Sequence, residues 1–457
     1  MNPTDPAPAD SAPSEPAPAG TGPLARALAT RGGSAAAEAP FVIEHREALI
    51  YMLCEAAELE HGIMCQYLYA AFSLKQSADE GLDADGLALV QSWRRTLGQI
   101  AGQEMLLHLA LVHNLLAAIG GPPHFGRPNL PQPARHYPAG VNLELRPFDR
   151  EAVQHFLFLE RPEGMALEDA AGSVHADHLA GPPVGRADIV PQGQDFATVG
   201  HLYRSIESGL DQLAAKYGED GLFIGPPRAQ AIAEHFQLPE LVPVTDLASA
   251  HRAIDTILEQ GEGVSGAWQA AHFGRFVEMQ DELTARRAAD PSFDPARPVL
   301  VANVRPPHRD ADLPLITDPL TARVADVFNV GYEVLLQLMT RYFAHTDETD
   351  EQLKLLADAG FTVMFGVLRP LGELLTALPV GPEHPGRTAG ATFELFYEAD
   401  YLVPHMRAAW LVISERLREA ATCCAALAAE SASLAATLAP VERTFAELSA
   451  RLSAAVA

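Results

Sequence analysis

The stretch GQEMLLHLALVHNLLAAIGG, residues 102 to 121, combines an apolar helical pattern with two groups that can do chemistry. Glu104 and His108 are four residues apart, so an α-helix places both side chains on one face. Leu111 and Leu115 continue that face. A carboxylate buried alone among apolar side chains costs several kcal/mol and would normally stay protonated. Burial of this pair therefore indicates a stabilising partner of positive charge.

Three other predicted helices each carry one metal-competent side chain on an apolar face. Carboxylate oxygens and imidazole nitrogens are ligands that iron, manganese and zinc accept in proteins. Four-helix bundles that hold two iron or manganese ions take such ligands from all four helices. The pattern therefore predicts a metal centre inside a helical bundle. Its predicted ligands are Glu60, Glu104, His108, Glu207 and His272.

The composition of the 457-residue chain favours helices and excludes several classes of function. Hydrophobic residues make up 48 % and aromatic residues only 7 %, and Ala and Leu lose little entropy in a helix. A formal net charge of −27 argues against nucleic acid and anionic membrane surfaces as partners, since both require a basic surface. The N-terminus has no secretory pattern, and the four cysteines suggest no disulfide framework. We expect a cytoplasmic protein that spans no membrane.

The chain divides into four parts by composition. Residues 1–38 are rich in Pro, Ala and Ser and are predicted to form a disordered tail. Residues 41–290 are predicted to form a four-helix bundle with a long crossover loop at 122–195, which is too long for an idle connection. A Pro-rich linker follows at 291–318, and residues 319–457 are predicted to form further helices packed on the bundle. The predicted fold class is therefore all-α.

Several stretches of the chain form an ordered series of motifs. They are ELEHGIMCQYLYAAFSL (58–74), EMLLHLALVHNLLAAIGGPP (104–123), HLYRSIESGL (201–210), LEQGEG with AHFGRFVEM (258–263 and 271–279), and FAHTDETDEQ with VLRPLGELLTALPVGPEHPGRTAG (343–352 and 367–390). In this order they resemble a bacterial ferritin-like family named after the iminophenyl-pyruvate dimer synthase of violacein and related bisindole biosynthesis. The resemblance covers roughly residues 41–400.

The resemblance implies a ferritin-like bundle with a metal centre. In the named member it also implies the oxidative coupling of two amino-acid-derived imines. By position, it marks as expected metal ligands Glu60, His108, Glu207 and His272.

Two positions depart from the family pattern. The second helix of the family reads Glu-Glu-Met-x-His, whereas this chain has Met105 three residues before His108. Gln269 likewise occupies the place three residues before His272. The fourth carboxylate is then expected from Glu262, or less favourably from Glu259, in the QGEG interruption. Fewer carboxylates are compatible with a single metal ion, or with zinc in place of iron.

The main hypothesis is a non-haem oxidase or oxygenase of bacterial secondary metabolism. Iron, or else manganese or zinc, would act with dioxygen on a small, amino-acid-derived substrate that Tyr67 or Arg275 orients. One rival hypothesis is a non-catalytic ferritin-like metal-binding or scaffold protein, and another is hydrolysis at zinc. The substrate and the number of metal ions stay open, and a homo-oligomer is compatible with the sequence.

Overall fold

The computed structural model describes residues 22–31, 39–132, 141–171, 196, 198–263, 268–308, 312–396 and 404–456. The described residues contain helices and no β-strand, so the predicted all-α class is confirmed. The α-helices are α1 (Pro23–Arg31), α2 (Arg46–Ser73), α3 (Ala84–Gln99), α4 (Met105–Ala118), α5 (Arg150–Leu159), α6 (Val199–Tyr217), α7 (Glu219–Leu222), α8 (Ala233–Phe236), α9 (Leu247–Gly261), α10 (His272–Ala289), α11 (Pro319–Phe343), α12 (Asp350–Val363), α13 (Arg369–Leu375), α14 (Met406–Glu430) and α15 (Ala432–Ala455).

Four long helices form the bundle. α2 packs against α4 and α6, and α9 packs against both α4 and α6. Side-chain caps fix where two of them begin: Thr198 accepts a hydrogen bond from the His201 amide at 3.0 Å, and Asp246 accepts one from the Ser249 amide at 2.7 Å. α5 and α10 pack on each other beside the bundle, so the crossover segment meets the helix that follows the bundle.

The second predicted helix is not one regular α-helix. α3 and α4 are joined by a π-helical turn, Ile100–Glu104, which inserts a wider turn into the continuous rod. Turns of this kind often occur at functional sites, because they re-aim the side chains that follow. Glu104 is the last residue of this turn, so its direction depends on it.

Two segments differ from the sequence expectation. The tail predicted over residues 1–38 contains the helix α1, whose Ala25 and Leu28 are buried and whose first amides donate to Asp281. Within the predicted linker, Asn303 is fully buried and forms an isolated bridge with Leu315. This segment therefore packs against the protein.

The C-terminal helices lie against the bundle through α13, which contacts α2. α14 and α15 form a hairpin on α11, and α12 packs between α11 and α15. A second π-helical turn, Met364–Leu368, joins α12 and α13 directly before Pro370. By length and composition alone, the stretch Asp350–Leu375 could cross a bilayer, but half of its apolar window is buried inside the protein. Core helices pass the same test, so this is weak evidence for a membrane span.

Candidate functional site

A buried cluster of imidazole and carboxylate groups lies where the bundle meets α5 and α10. His108 on α4 and His272 at the start of α10 are 2 % and 0 % exposed, and their rings stack with centroids 5.4 Å apart. Glu60 on α2 is 2 % exposed and lies beside His108. The structure therefore brings together four of the predicted ligands, because Glu104 also contacts His272.

On the Glu60 side of the cluster, both carboxylate oxygens of Glu60 and both ring nitrogens of His108 have a defined contact. Glu60 Oε2 lies 3.4 Å from His108 Nδ1, and Glu60 Oε1 accepts a hydrogen bond from the Tyr203 hydroxyl at 2.6 Å. His108 Nε2 lies 3.1 Å from Gln260 Oε1. Because an amide oxygen only accepts hydrogen bonds, His108 Nε2 donates in this contact, and Nδ1 is the ring nitrogen that faces the Glu60 carboxylate. An imidazole nitrogen and a carboxylate oxygen that face each other are two potential ligand atoms for one cation.

The His272 side of the cluster is an array of alternating charges. His272 Nε2 lies 2.9 Å from Glu104 Oε2, and its Nδ1 lies 3.3 Å from Glu160 Oε1. Arg275, one turn further along α10, makes a two-pronged contact with Glu104 that includes a 2.9 Å bond from Nη1 to Oε1. Glu160 also accepts a hydrogen bond from the Tyr67 hydroxyl at 2.5 Å.

These contacts shift the pKa values in the directions that stabilise the array. Burial lowers the pKa of His272, but the facing carboxylates of Glu160 and Glu104 outweigh it and raise that pKa to about 9. Burial raises the pKa of Glu104, yet hydrogen bonds from His272 and Arg275 reverse the effect and hold it well below its usual range. Burial, with the neighbouring Glu160, raises the pKa of Tyr67 well above 10.

A small internal cavity lies at the edge of the cluster. Its volume is about 20 Å³, which is enough for one water-sized occupant, and its lining includes Glu60, His108, Glu160 and Glu262. The lining supplies carboxylate and imidazole donors, which fit a single transition-metal ion in type and in size. In the side-chain positions that the structure describes, however, no group of three or more His, Cys, Asp or Glu residues could hold a metal ion. Metal binding here requires side-chain rotation.

Two predicted ligands lie outside the hydrogen-bonded cluster. Glu207 is half-buried on α6, and burial raises its pKa while the nearby His251 on α9 opposes this. Tyr203, one turn earlier on α6, occupies the place beside Glu60 instead. Glu262 lines the 20 Å³ cavity but is bonded to Arg204 and accepts the Glu163 amide at 2.9 Å.

Glu160 is the cluster residue that sequence reasoning missed. It follows α5 directly, inside the crossover that was predicted only as a cover, and it reaches the cluster because α5 packs on α10. The run HFLFLE from His155 to Glu160 carries the only available signal, a carboxylate at the end of an apolar helical stretch. His175 and His178, whose spacing in the crossover loop could suggest a second metal site, lie outside the described residues.

The cluster borders a large open cavity of about 1350 Å³ between the bundle and the C-terminal helices. Glu104 and Arg275 lie in its wall, whereas Tyr67 is fully buried and does not line it. Of the two residues predicted to orient substrate, Arg275 is therefore placed at the cavity. The Tyr67 hydroxyl instead fixes the position of Glu160.

Comparison with known proteins agrees with this architecture. The ferritin-like family model matches residues 53–281. Dichlorochromopyrrolate synthase from Lentzea aerocolonigenes is 30 % identical over 420 residues, which cover 84 % of this chain and 39 % of that protein. The 2-imino-3-(indol-3-yl)propanoate dimerase from Chromobacterium violaceum is 29 % identical over 384 residues, which cover 77 % of this chain and 34 % of that protein.

A solved ferritin-like protein from Caulobacter vibrioides is 18 % identical, with a TM-score of 0.47, and covers 75 % of this chain and 98 % of that one. The chain spans less than two-fifths of the length of the two biosynthetic relatives that it matches. The matched family region runs from within α2 to within α10, so it contains the whole cluster of imidazoles and carboxylates. On the strength of that match, which extends over half of its length, the chain belongs to the ferritin-like family.

Proposed function

We propose that this protein is an enzyme of bacterial secondary metabolism that oxidises or couples a small, amino-acid-derived substrate at the buried cluster. The observation that carries the proposal is the position of Glu104. It contacts His272 inside the cluster and also lies in the wall of the 1350 Å³ cavity. A reacting group in the cavity would therefore meet the edge of a dry, charged site. The biosynthetic roles named for the two relatives support the same class of chemistry.

One part of the large cavity suits an aromatic carboxylic acid, whereas the acidic residues Glu240, Glu259 and Asp358 line other parts of its wall. Phe236, Phe361 and Phe365 contribute apolar surface, and Arg451 contributes a cation. Aromatic rings gain from offset or edge contacts with such side chains, and an arginine binds a carboxylate with two parallel hydrogen bonds. Amino-acid-derived imines and keto acids combine these two features. The cavity is larger than one such molecule requires.

The residues at the cavity wall have separate roles in the proposed reaction. Glu104, whose pKa is held low, faces the substrate as a hydrogen-bond acceptor, and His272 donates to both Glu104 and Glu160 through its two ring nitrogens and so balances their charge. Arg275 holds Glu104 in its ionised form and keeps it at the wall. Tyr67 holds Glu160 from the other side.

A metal ion, with iron as the first candidate, is proposed for the 20 Å³ cavity. Glu60, His108 and Glu160 would hold it after rotation, with Glu262 as a further donor. Iron bound there would supply the electron transfer to dioxygen that oxidation of the substrate requires. A non-catalytic scaffold is the rival proposal, and the mutual pairing of the cluster side chains favours it.

Metal analysis of protein purified from iron-supplemented cells tests this proposal. We expect about one iron per chain, a loss of iron in Glu60→Gln and His108→Ala, and retention in the control His251→Ala, whose partner is Asp211 at the surface. Oxygen uptake should then follow addition of 2-imino-3-(indol-3-yl)propanoate or a related imine.

Bound zinc without oxygen uptake would support hydrolysis instead. A chain that binds no metal, or that loses metal equally in all three variants, would contradict the proposed site.

A further inference from the structure

A second, smaller cavity lies on the other side of the π-helical turn Ile100–Glu104. Its volume is about 530 Å³, and it opens between the bundle helices α2 and α3 and the C-terminal helices α11 and α13. We call it the inner chamber. None of the cluster side chains lines it, so it is distinct from the site described above.

The closed end of the inner chamber is apolar and rigidly supported. Leu68, Phe72 and Phe393 lie in its wall; Phe72 and Phe393 are buried, and Leu68 is half-buried. Tyr332 lines the same end, where its hydroxyl accepts a hydrogen bond from Arg127 at 2.9 Å and also contacts His61. Because these neighbours fix the phenol, this end offers a preformed surface for an aromatic ring.

The open end of the inner chamber is positively charged. Arg94, Arg95 and Arg369 line it together with a single acidic residue, Glu373. Glu373 is shared by Arg94 at 2.7 Å and Arg369 at 3.2 Å. Arg95 is exposed and has no ion pair among the described residues. In a chain with a net charge of −27, such an excess of arginine at a cavity mouth selects an anion.

The two cavities share a wall. Gln99, Gly102, Gln103 and Phe365 line both of them, and the shared turn ends in Glu104, which contacts His272 in the cluster. Phe365 is 55 % exposed, which is unusual for a large apolar side chain inside a cleft. Molecules held in the two cavities would therefore lie on either side of one helical turn.

We propose that the inner chamber is a second binding site, for an aromatic carboxylic acid whose ring enters the apolar end and whose carboxylate meets Arg95. This second site deepens the proposed function, because a coupling reaction must bind two molecules. Its biological role rests on the proposed function. Binding itself requires neither metal nor turnover.

Gly98 offers a way to close the chamber selectively. It lines the inner chamber and not the larger cavity, and a Cβ at this position would meet no atom within 4 Å. Gly98→Leu should therefore fold and narrow the chamber at this wall, where it would obstruct an aromatic ligand. Ala88→Leu adds the same side chain on an exposed part of α3 that lines neither cavity, so it is the matched control.

Isothermal titration of the full chain with indole-3-propionate tests the proposal. We expect two bound equivalents in the wild type and in Ala88→Leu, but one in Gly98→Leu. Arg95→Gln should weaken one of the two equivalents roughly tenfold, the effect of losing one hydrogen bond to a charged group, and should not change the binding of uncharged indole.

Equal stoichiometry in the wild type and Gly98→Leu, together with an unchanged affinity in Arg95→Gln, would overturn the second site. His272→Gln separates this result from the fate of the proposed function. That variant should retain both equivalents, because His272 lines neither cavity, even though it should lose turnover.

Discussion

The hydroxyl of Tyr67 donates a hydrogen bond to Glu160 at 2.5 Å, and this contact joins α2 to the residue that follows α5. Tyr67 is fully buried between Phe156 and Phe276, with ring centroids 4.7 and 5.0 Å away. The ring therefore fills the core while its polar end fixes a carboxylate of the cluster. A buried carboxylate needs such donors, because its desolvation is otherwise uncompensated.

Tyr67→Phe should lower the free energy of unfolding by about 1–2 kcal/mol, because Glu160 loses a buried hydrogen-bond donor while the ring packing is kept. Urea unfolding followed by circular dichroism measures the change. Tyr51→Phe is the control, since Tyr51 is 47 % exposed on the same helix and should cost almost nothing. An equal effect of the two substitutions would show that the Tyr67 hydroxyl does not stabilise the cluster.

Variants of two glutamates distinguish the metal site proposed from the structure from the ligand set predicted from the sequence. Glu160→Gln should lower the iron content of the purified protein at least tenfold, because Glu160 lines the 20 Å³ cavity. Glu207→Gln should leave the iron content unchanged, since Glu207 lies near His251 and does not line that cavity. Metal analysis of both variants checks this. Loss of iron in Glu207→Gln but not in Glu160→Gln would instead support Glu207 as a ligand, as the sequence predicted.

The sequence predicted the bundle well because its helices carry long apolar stripes and two of them begin at side-chain caps. The motif that contains Glu60 lies, except for its last residue, in one continuous helix, Arg46–Ser73, and α6 begins directly after its Thr198 cap. The pairing of Glu60 with His108 was likewise predictable, since residues on apolar stripes of neighbouring helices must meet in the core.

The remaining parts of the site depend on information that periodicity does not contain. A π-helical turn changes the direction in which the Glu104 side chain leaves the helix axis. No feature of the amino-acid composition reveals this turn. Glu207 was expected inside because its neighbours Tyr203 and Leu210 are apolar, but the helix turns it toward α9. Glu160 comes from a connection whose path is set by tertiary packing.

Two glycines should respond in opposite ways to Ala. A Cβ at Gly225 would lie 1.7 Å from the backbone oxygen of Ala117, so Gly225→Ala must displace the end of α4 and should cost about 2 kcal/mol. At Gly98 a Cβ meets open space within a helical stretch, so Gly98→Ala should add up to about 1 kcal/mol. Urea unfolding of the two variants measures both effects. If Gly225→Ala stabilised the protein, Gly225 could not lie as close to the Ala117 carbonyl as the structure places it.

A buried ion pair in the C-terminal region should make stability depend on acid pH. Glu348 is fully buried, accepts two hydrogen bonds from Arg341 at 2.5 and 2.8 Å, and accepts a third from the Trp410 indole at 3.0 Å. Its sequence context, an acidic loop before α12, predicts a solvated cap instead. Burial raises the pKa of Glu348, but the bonds from Arg341 and Trp410 outweigh it and lower that pKa to about 2.

Because the folded-state pKa lies below the unfolded value of 4.5, this carboxylate stabilises the protein above pH 4.5 and loses its effect as the pH falls toward 2. Glu348→Gln should therefore cost about 3 kcal/mol at pH 7, and the difference from the wild type should shrink between pH 4.5 and pH 2. Urea unfolding at several pH values measures it. Glu430→Gln removes an exposed partner of Arg323 and should show a small difference without this pH dependence. A constant difference between wild type and Glu348→Gln down to pH 2 would mean that the Glu348 carboxylate is not ionised in the folded protein.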